Sequence, residues 1–372
     1  VFFVPYTASG FAACGKLFSN LFGMDYMLAM IISAVVIVGY TALGGFLAAS
    51  TTDLIQSCVM TIALVVVLCF GVNVAGGLDA VVQNAQTLPG YLAMNASYDA
   101  ASNAAVPYGP LTIVSTLAWG LGYFGMPHIL LRFMAIENEQ KLTTSRRVAT
   151  VWVVISMFIA VLIGMVGLGM TNVGALPVLE GSASETVIVQ ISSLMAEHGV
   201  LLALAAGVTL AGILAATMST ADSQLLAASS SVSKDLMWGV FKVKMTEKQS
   251  MLIARSTLLV IAAIAIILAR DPDSSVFKIV SFAWAGFGAA FGPVVLFALF
   301  WKRANKWGAL CGMISGGVLV FVWKFLGGAF DLYELLPAFL LNCVVLVVVS
   351  LLTAPPEKKI VDTFEEYRAM GK

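Results

Sequence analysis

The residues best placed to do chemistry fall in three short stretches. Between Ala118 and Phe133, Gly120, Gly122, Gly125 and Pro127 crowd into eight residues of one apolar run, beside Trp119 and Tyr123. Glycine costs about 1 kcal/mol and proline about 3 kcal/mol in a helix interior. At membrane depth such a cluster is tolerated where the freed backbone lines a cavity or is buried in protein. A discontinuous helix at a binding site therefore stands against a glycine-rich packing face. Trp119 and Tyr123, four apart, would share one face of an α-helix.

The second stretch, 211–224, pairs small residues with the adjacent hydroxyls of Ser219 and Thr220. Hydroxyl and backbone carbonyl oxygens can ligate a hard cation without burying a full charge. The alternative is hydroxyl-to-carbonyl bonding within a helix. Asp222 lies one turn on; an acid inside a span is a functional candidate, unless the helix has already reached an aqueous vestibule there. In the third stretch, 281–293, Gly286, Gly288 and Gly292 alternate with aromatics before Pro293. That pattern fits a bendable gating helix or a tight packing face. Asp53, after Thr51 and Thr52, reads first as the N-cap of a span from 54 and second as a residue on an ion-exit route.

These stretches must be held by membrane helices. Of 372 residues, 60% are hydrophobic and 11% charged, against about 25% charged in soluble domains. Apolar runs of about 20 residues, enough to cross hydrocarbon, recur at 1–17, 27–46, 54–76, 110–131, 148–171, 200–227, 252–269, 279–300, 308–325 and 334–353. Continuous rather than alternating runs point to helices, not barrel strands. The chain therefore reads as an all-α polytopic membrane protein, with a transmembrane domain over 1–353 and a charged tail over 354–372. Zero net charge gives no reason to expect nucleic acid. The five cysteines, all in apolar runs, form no metal-ligand or disulfide pattern. His128 and His198 lack partners at metal spacing and read as structural. No nucleophile–base pair suggests an enzyme, and no phosphate-binding loop suggests ATP-driven transport.

The connecting segments alternate in charge. One set holds 16 of the 20 cations, including Arg132, Lys141, Lys234, Lys244, Lys302, Arg303, Lys306, Lys358 and Lys359; the other holds Lys16, Arg270, Lys278 and Lys324. The positive-inside rule places the first set and the C-terminus in the cytoplasm. The segments 77–109 and 172–199 carry no Lys or Arg and belong on the far side. Residue 1 is Val and opens directly on an apolar run, so earlier spans are expected to be missing.

Five segments carry a family resemblance. YTALGGFLA from Tyr40 with Thr52 and Asp53, WGLGYFGMPHILLRFM from Trp119, ILAATMST from Ile213, SFAWAGFGAAFGPVVLF from Ser281 and WKRANKWGALCGM from Trp301 resemble, in order, segments of the sodium:solute symporter family. The likeness is greatest to its bacterial proline-transporting subgroup and runs from about residue 1 to 353. The resemblance implies a LeuT-type inverted-repeat fold, with about ten transmembrane helices present of an expected thirteen. It implies Na⁺-coupled uptake of L-proline across a bacterial cytoplasmic membrane, with Na⁺ as co-transported ion and no organic cofactor. Ser219 and Thr220 would bind Na⁺ through their hydroxyls and Ala216 through its carbonyl. Trp119, Tyr123 and Pro127 would line the proline pocket, with Tyr6 at its edge, and a secondary ammonium suits an aromatic face. Asp53, Asp222, Gly286 and Gly288 would serve gating or ion exit. Met126 and Asp222 depart from the residues of enteric proline transporters, which leaves open another small solute, such as pantothenate or another amino acid. A transporter-like sensor is a further alternative.

Overall fold

Lipid offers the backbone no hydrogen bonds, so each apolar run must satisfy its own N–H and C=O groups. The computed structural model describes residues 1–99, 102–326 and 332–370, and the side chains of all of these except 45–49 and 370. In chain order the elements are α1 (Phe3–Phe22), α2 (Tyr26–Val74), α3 (Leu78–Thr87), a hairpin of β1 (Ala96–Asp99) and β2 (Ala104–Pro107), α4 (Pro110–Leu117), a 3₁₀ segment (Ala118–Gly125), α5 (Pro127–Met134), α6 (Lys141–Asn172), a 3₁₀ turn (Gly181–Thr186), α7 (Val187–Ala196), α8 (Val200–Ser230), a π-helical turn (Ser231–Val240), α9 (Glu247–Leu268), α10 (Val276–Phe300), α11 (Lys306–Phe325), α12 (Leu335–Leu352) and α13 (Lys358–Met370).

Among the described residues, eight segments are long and apolar enough to cross a membrane. The two remaining expected spans, 1–17 and 110–131, are present in other forms. The first is α1, twenty residues long and diluted by Tyr6, Thr7, Ser9 and Lys16. The second is broken into α4, the 3₁₀ segment and α5, eight residues each. The expected break at Asp53 is absent: α2 is helical over 49 residues. Straight, it would be roughly 74 Å long at 1.5 Å per residue, so it contains two spans, Tyr26–Gly44 and Ser50–Val74. Asp53 thus lies inside a helix, where the following N–H groups already have helical partners, and it does not cap. The N-cap of α2 is Asp25, which accepts from the Leu28 amide at 3.0 Å. Of the Tyr40 motif, the side chains of residues 45–49 lie outside those described.

The described chain divides into two packed units. The first comprises Val1, 3–107 and 135–279. In it α1, the first half of α2, α8 and α9 share a core of Ala8, Phe11, Met30, Ile37, Leu225 and Leu258, among others. The second half of α2 packs on α6 and α7 through Val67, Ile163, Val166, Met170 and Ile191. Large apolar side chains such as Val35, Phe158, Val161 and Ile267 stay exposed along these helices; in a bilayer they face lipid.

One polar knot ties three connections of this unit. The Glu185 carboxylate accepts from Lys16 Nζ at 3.1 Å, Ser275 Oγ at 2.7 Å and the amides of Val276 and Phe277 at 3.0 and 3.2 Å. It therefore sits on the N-terminus of α10, where backbone N–H groups lack helical partners and favour an anion. Lys16 also donates to the Ser274 carbonyl at 2.8 Å. Burial pushes the Glu185 carboxyl up, but the bonds from Ser275, Phe277, Val276 and Lys16 outweigh it and hold it below its ordinary value. Lys16, the 172–199 segment and the 270–278 segment meet here, as the predicted alternation of sides requires.

The second unit comprises Phe2, 108–134 and 280–372. Pro293 lies inside α10 and has no N–H to offer the Ala289 carbonyl, its i−4 partner. Asn342 of α12 supplies the missing donor: its Nδ2 lies 2.6 Å from the Ala289 oxygen and 2.9 Å from that of Ala290. α11 reaches the same place through a stripe of glycines. A Cβ on Gly316 would stand 2.4 Å from the Ala289 oxygen, and one on Gly312 2.2 Å from Asn342 Oδ1. Glycine is needed at both positions because two helices and a carbonyl converge there.

Candidate substrate and ion sites

The broken helix of the second unit carries the aromatic residues singled out in the sequence. The 3₁₀ segment ends at Gly125, Met126 is extended (φ −82°, ψ 104°), and α5 restarts on Pro127. Proline suits this first helical position, where no N–H is required, and disfavours helix in the residue before it. The discontinuity and the packing face are both realised. A Cβ on Gly122 would overlap the Trp284 indole at 1.9 Å, and one on Gly125 would meet the Phe287 carbonyl at 2.4 Å.

The shared-face reading of Trp119 and Tyr123 needs correction. It assumed α-helical spacing, whereas at three residues per turn two side chains four apart diverge by about 120°. They are reunited by Trp284 of α10, an aromatic the sequence placed in a gating segment and not in a pocket. Trp284 stacks on Trp119 with ring centroids 5.3 Å apart and meets Tyr123 edge-on at 4.8 Å. Its indole N–H donates to the Trp119 carbonyl at 3.0 Å, which satisfies backbone at the break. Tyr333 extends the stack, 5.9 Å from Trp119. Its hydroxyl donates to the Ser281 carbonyl at 2.6 Å and its amide to Ser115 Oγ at 2.6 Å. Four rings thus make one wall, on which Tyr123 is 53% exposed. Pro127 is half-buried, and Met126 is fully buried. A glycine facing a tryptophan, as Gly122 faces Trp284, is a pattern no local spacing announces.

Gly286 and Gly288 lie buried in α10. A Cβ on Gly286 would fall 2.1 Å from the Phe2 ring, and one on Gly288 2.7 Å from the Gly122 Cα. Their geometry is that of close packing, and it is the approach of Gly288 to Gly122 that lets α10 lie against the break.

In the first unit, Ala216, Ser219 and Thr220 come together on α8. The Ser219 and Thr220 hydroxyls donate to the same carbonyl, that of Ala216, at 3.0 and 3.1 Å. Three oxygens therefore converge on one side of the helix, all half-buried. Such back-bonding is common for Ser and Thr in helices; each hydroxyl oxygen also carries lone pairs, so the arrangement is compatible with a cation. The neighbouring face of α8 is closed by α1: Gly10 approaches Thr217 and Ala221, and Thr7 contacts the Gln224 side chain at 3.5 Å. Tyr6, half-buried on α1, accepts at its carbonyl from Ser9 Oγ at 2.6 Å.

Asp222 is wholly buried, so its part of α8 does not open onto a vestibule. Its Oδ1 accepts from Ser223 at 3.2 Å, and its Oδ2 has no partner among the described residues. Asp53 is half-buried within α2. Among the described residues no cluster of three or more His, Cys, Asp or Glu could hold a metal ion.

Among the described residues, eight segments long and apolar enough to cross a membrane, and an interrupted ninth segment, define a multi-pass membrane protein. The family model described as the sodium:solute symporter family matches residues 1–316. The osmoregulated proline transporter OpuE of Bacillus subtilis is 38% identical over 360 residues, covering 96% of this chain and 70% of that protein. A sodium/proline symporter of Haemophilus influenzae is 40% identical over 381 residues, covering 98% and 72%. A solved structure of a Na⁺-coupled sialic acid symporter, substrate-bound and outward-open, superposes with a TM-score of 0.72 at 18% identity, over 96% of this chain and 74% of that one. That likeness concerns the fold, which is of the expected LeuT type. The chain belongs to the sodium:solute symporter family.

Proposed function

We propose that the protein is a secondary transporter, not an enzyme, that couples inward movement of Na⁺ to uptake of L-proline across the bacterial cytoplasmic membrane. The observation that carries Na⁺ coupling is the convergence of the Ser219 and Thr220 hydroxyls on the Ala216 carbonyl, which presents three uncharged oxygens to one cation. In this reading Na⁺ displaces the two hydroxyl protons from the carbonyl and takes all three oxygens as ligands. Proline is favoured as substrate by relatives of 37–40% identity that are named proline transporters and by the chemistry of the wall. The pyrrolidine ring is apolar enough to lie on Trp119 and Tyr123, and its secondary ammonium gains from a π face. Pro127 and Tyr6 border the substrate. Asp53 and Asp222 are assigned to ion exit, and Gly286 and Gly288 to a gate that would have to part their close packing. The C-terminus is cytoplasmic.

Uptake of radiolabelled proline by proteoliposomes, under imposed Na⁺, Li⁺ or H⁺ gradients and against a panel of competing solutes, tests this reading. Accumulation of proline driven by Na⁺ and abolished by its removal is expected. Proton-driven accumulation, or uptake of another solute that excess proline leaves unchanged, overturns it. For orientation, a cysteine at Glu139 or Lys244 should react with an impermeant maleimide only from the cytoplasmic side, and one at Ser182 only from outside.

A further inference from the structure

The helix after the last span is amphipathic, and its surroundings say what it lies on. In α13, Ile360, Phe364 and Tyr367 recur at i, i+4 and i+7, which is one helical face. Phe364 is seated on the protein at 8% exposure, whereas Ile360 and Tyr367 beside it are 55% and 50% exposed. Lys358, Asp362, Glu365 and Glu366 occupy the opposite face. Lys359 and Arg368 stand at the two margins of the apolar face, where long cationic side chains can reach out of an apolar layer.

The chain leading into α13 is tied to the turn between α10 and α11. Arg303 Nη2 donates to the Thr353 carbonyl at 2.8 Å, and Asn305 Nδ2 donates to Thr353 Oγ1 and the Ala354 carbonyl, each at 2.8 Å. Lys302 stands 4.0 Å from Glu365. Five residues separate the end of α12 from α13, and even extended they reach about 18 Å. α13 therefore starts beside the mouth of a span. The turn between α10 and α11 carries the features of a bilayer border: exposed Phe300 and Trp307 at the ends of α10 and α11, Trp301, and the cations Lys302 and Lys306. Lys306 lies 5.8 Å over the Trp307 ring. Aromatic residues and snorkelling cations mark the headgroup layer.

We propose that α13 is an in-plane helix that binds the phospholipid interface, with Ile360 and Tyr367 turned into the acyl boundary and Lys306, Lys359 and Arg368 taking lipid phosphates. The segment 357–370 carries three cations and four acids, so apolar insertion, not bulk charge, drives the contact. Binding should then depend little on the fraction of anionic lipid.

The test uses the photoreactive residue benzoylphenylalanine at position 360 or 367, with 362 and 366 as polar-face controls, in the protein reconstituted into vesicles of phosphatidylcholine alone or mixed with phosphatidylglycerol. All four positions are exposed. Mass spectrometry of the irradiated protein should show lipid adducts several-fold more abundant at 360 and 367 than at the controls, in both compositions. Equal yields at all four positions overturn the proposal, as do adducts to a second protein chain or adducts confined to anionic vesicles. A second measurement needs no substitution in α13: collisional quenching by brominated lipids of Trp307, with the other tryptophans replaced by Phe, should exceed quenching by aqueous iodide. The reverse order would remove the interface from this end of the molecule.

Discussion

Asn342→Leu is the sharpest test of how α10 tolerates its proline. The substitution keeps much of the side-chain volume and removes the Nδ2 donor that reaches the Ala289 and Ala290 carbonyls at 2.6 and 2.9 Å. The Ala290 carbonyl retains a helical partner in the Val294 amide. The Ala289 carbonyl does not, because its i+4 donor would have been Pro293. A buried polar group left without a partner costs about 1–3 kcal/mol; side-chain bonds between membrane helices have averaged about 0.6 kcal/mol, so a loss near 1–2 kcal/mol is expected. The control is Pro293→Ala, which restores an N–H at position 293 and with it a helical partner for Ala289. Asn342→Leu should therefore cost much less in the Pro293→Ala background. The assay is equilibrium unfolding in detergent for wild type, both single variants and the double variant. A coupling of about 1 kcal/mol supports the argument. Strict additivity would refute it, since the donor of Asn342 would then matter for reasons unrelated to the proline.

Four further outcomes follow from the sites. Ser219→Ala or Thr220→Ala should weaken Na⁺ binding by about 1.5–3 kcal/mol, a tenfold to hundredfold higher Na⁺ requirement; by linkage, proline affinity falls at limiting Na⁺ and recovers at saturation, and curves that stay displaced at saturating Na⁺ count against a ligand role. Trp119→Ala should weaken proline binding by about 1–3 kcal/mol with a smaller change in Na⁺ binding measured without proline. Trp284→Phe keeps an aromatic ring but loses the N–H bond to the Trp119 carbonyl, so it should cost about 0.5–1.5 kcal/mol of stability and raise the proline concentration for half-maximal uptake; unchanged values of both would detach Trp284 from the wall. Glu185 has a folded pKa below its ordinary value of 4.5, so its stabilisation is complete above that pH and is lost as pH falls through the lower folded value; unfolding against pH should show this acid-side loss in wild type and not in Glu185→Gln.

Much of the fold was legible because membrane helices announce themselves by length and apolarity, and nine of the ten expected runs coincide with helical segments without correction to their type. In the tenth, 110–131, the Gly and Pro penalties are local and mark either an interruption or a packing face, and the structure holds both. What spacing could not supply was the kind of interruption. The 3₁₀ geometry over Ala118–Gly125 turns Trp119 and Tyr123 apart, and only the distant Trp284 brings them into one wall. Asp53 failed as a cap for the converse reason: Ser50, Thr51 and Thr52 are polar enough to suggest a turn, yet none of them forbids helix, and α2 continues. The adjacency of the Ser219 and Thr220 hydroxyls was legible in the sequence; Ala216 entered only through the family resemblance, and α8 brings its carbonyl to both hydroxyls. Trp284, Tyr333 and Asn342 were not, because each acts on an element more than fifty residues away in sequence or on a carbonyl that only the fold exposes.

The two interruptions of the second unit obey one rule. At Ala289 the carbonyl loses its helical donor because Pro293 lacks an N–H, and at Trp119, within the 3₁₀ segment, the carbonyl accepts from a side chain far away in sequence. Each carbonyl is then met by one long polar side chain from another helix, Trp284 in the first case and Asn342 in the second. In both, glycines permit the approach: Gly122 clears the Trp284 ring, and Gly312 and Gly316 clear Asn342 and the Ala289 carbonyl. Neighbouring helices are one of the sources from which a broken membrane helix regains its hydrogen bonds, and here they supply the donor. The partner can be replaced only by another donor of the same reach, which is why Asn342→Gln, one methylene longer against Gly312, should not rescue what Asn342→Leu loses, whereas Trp284 variants that keep an N–H should.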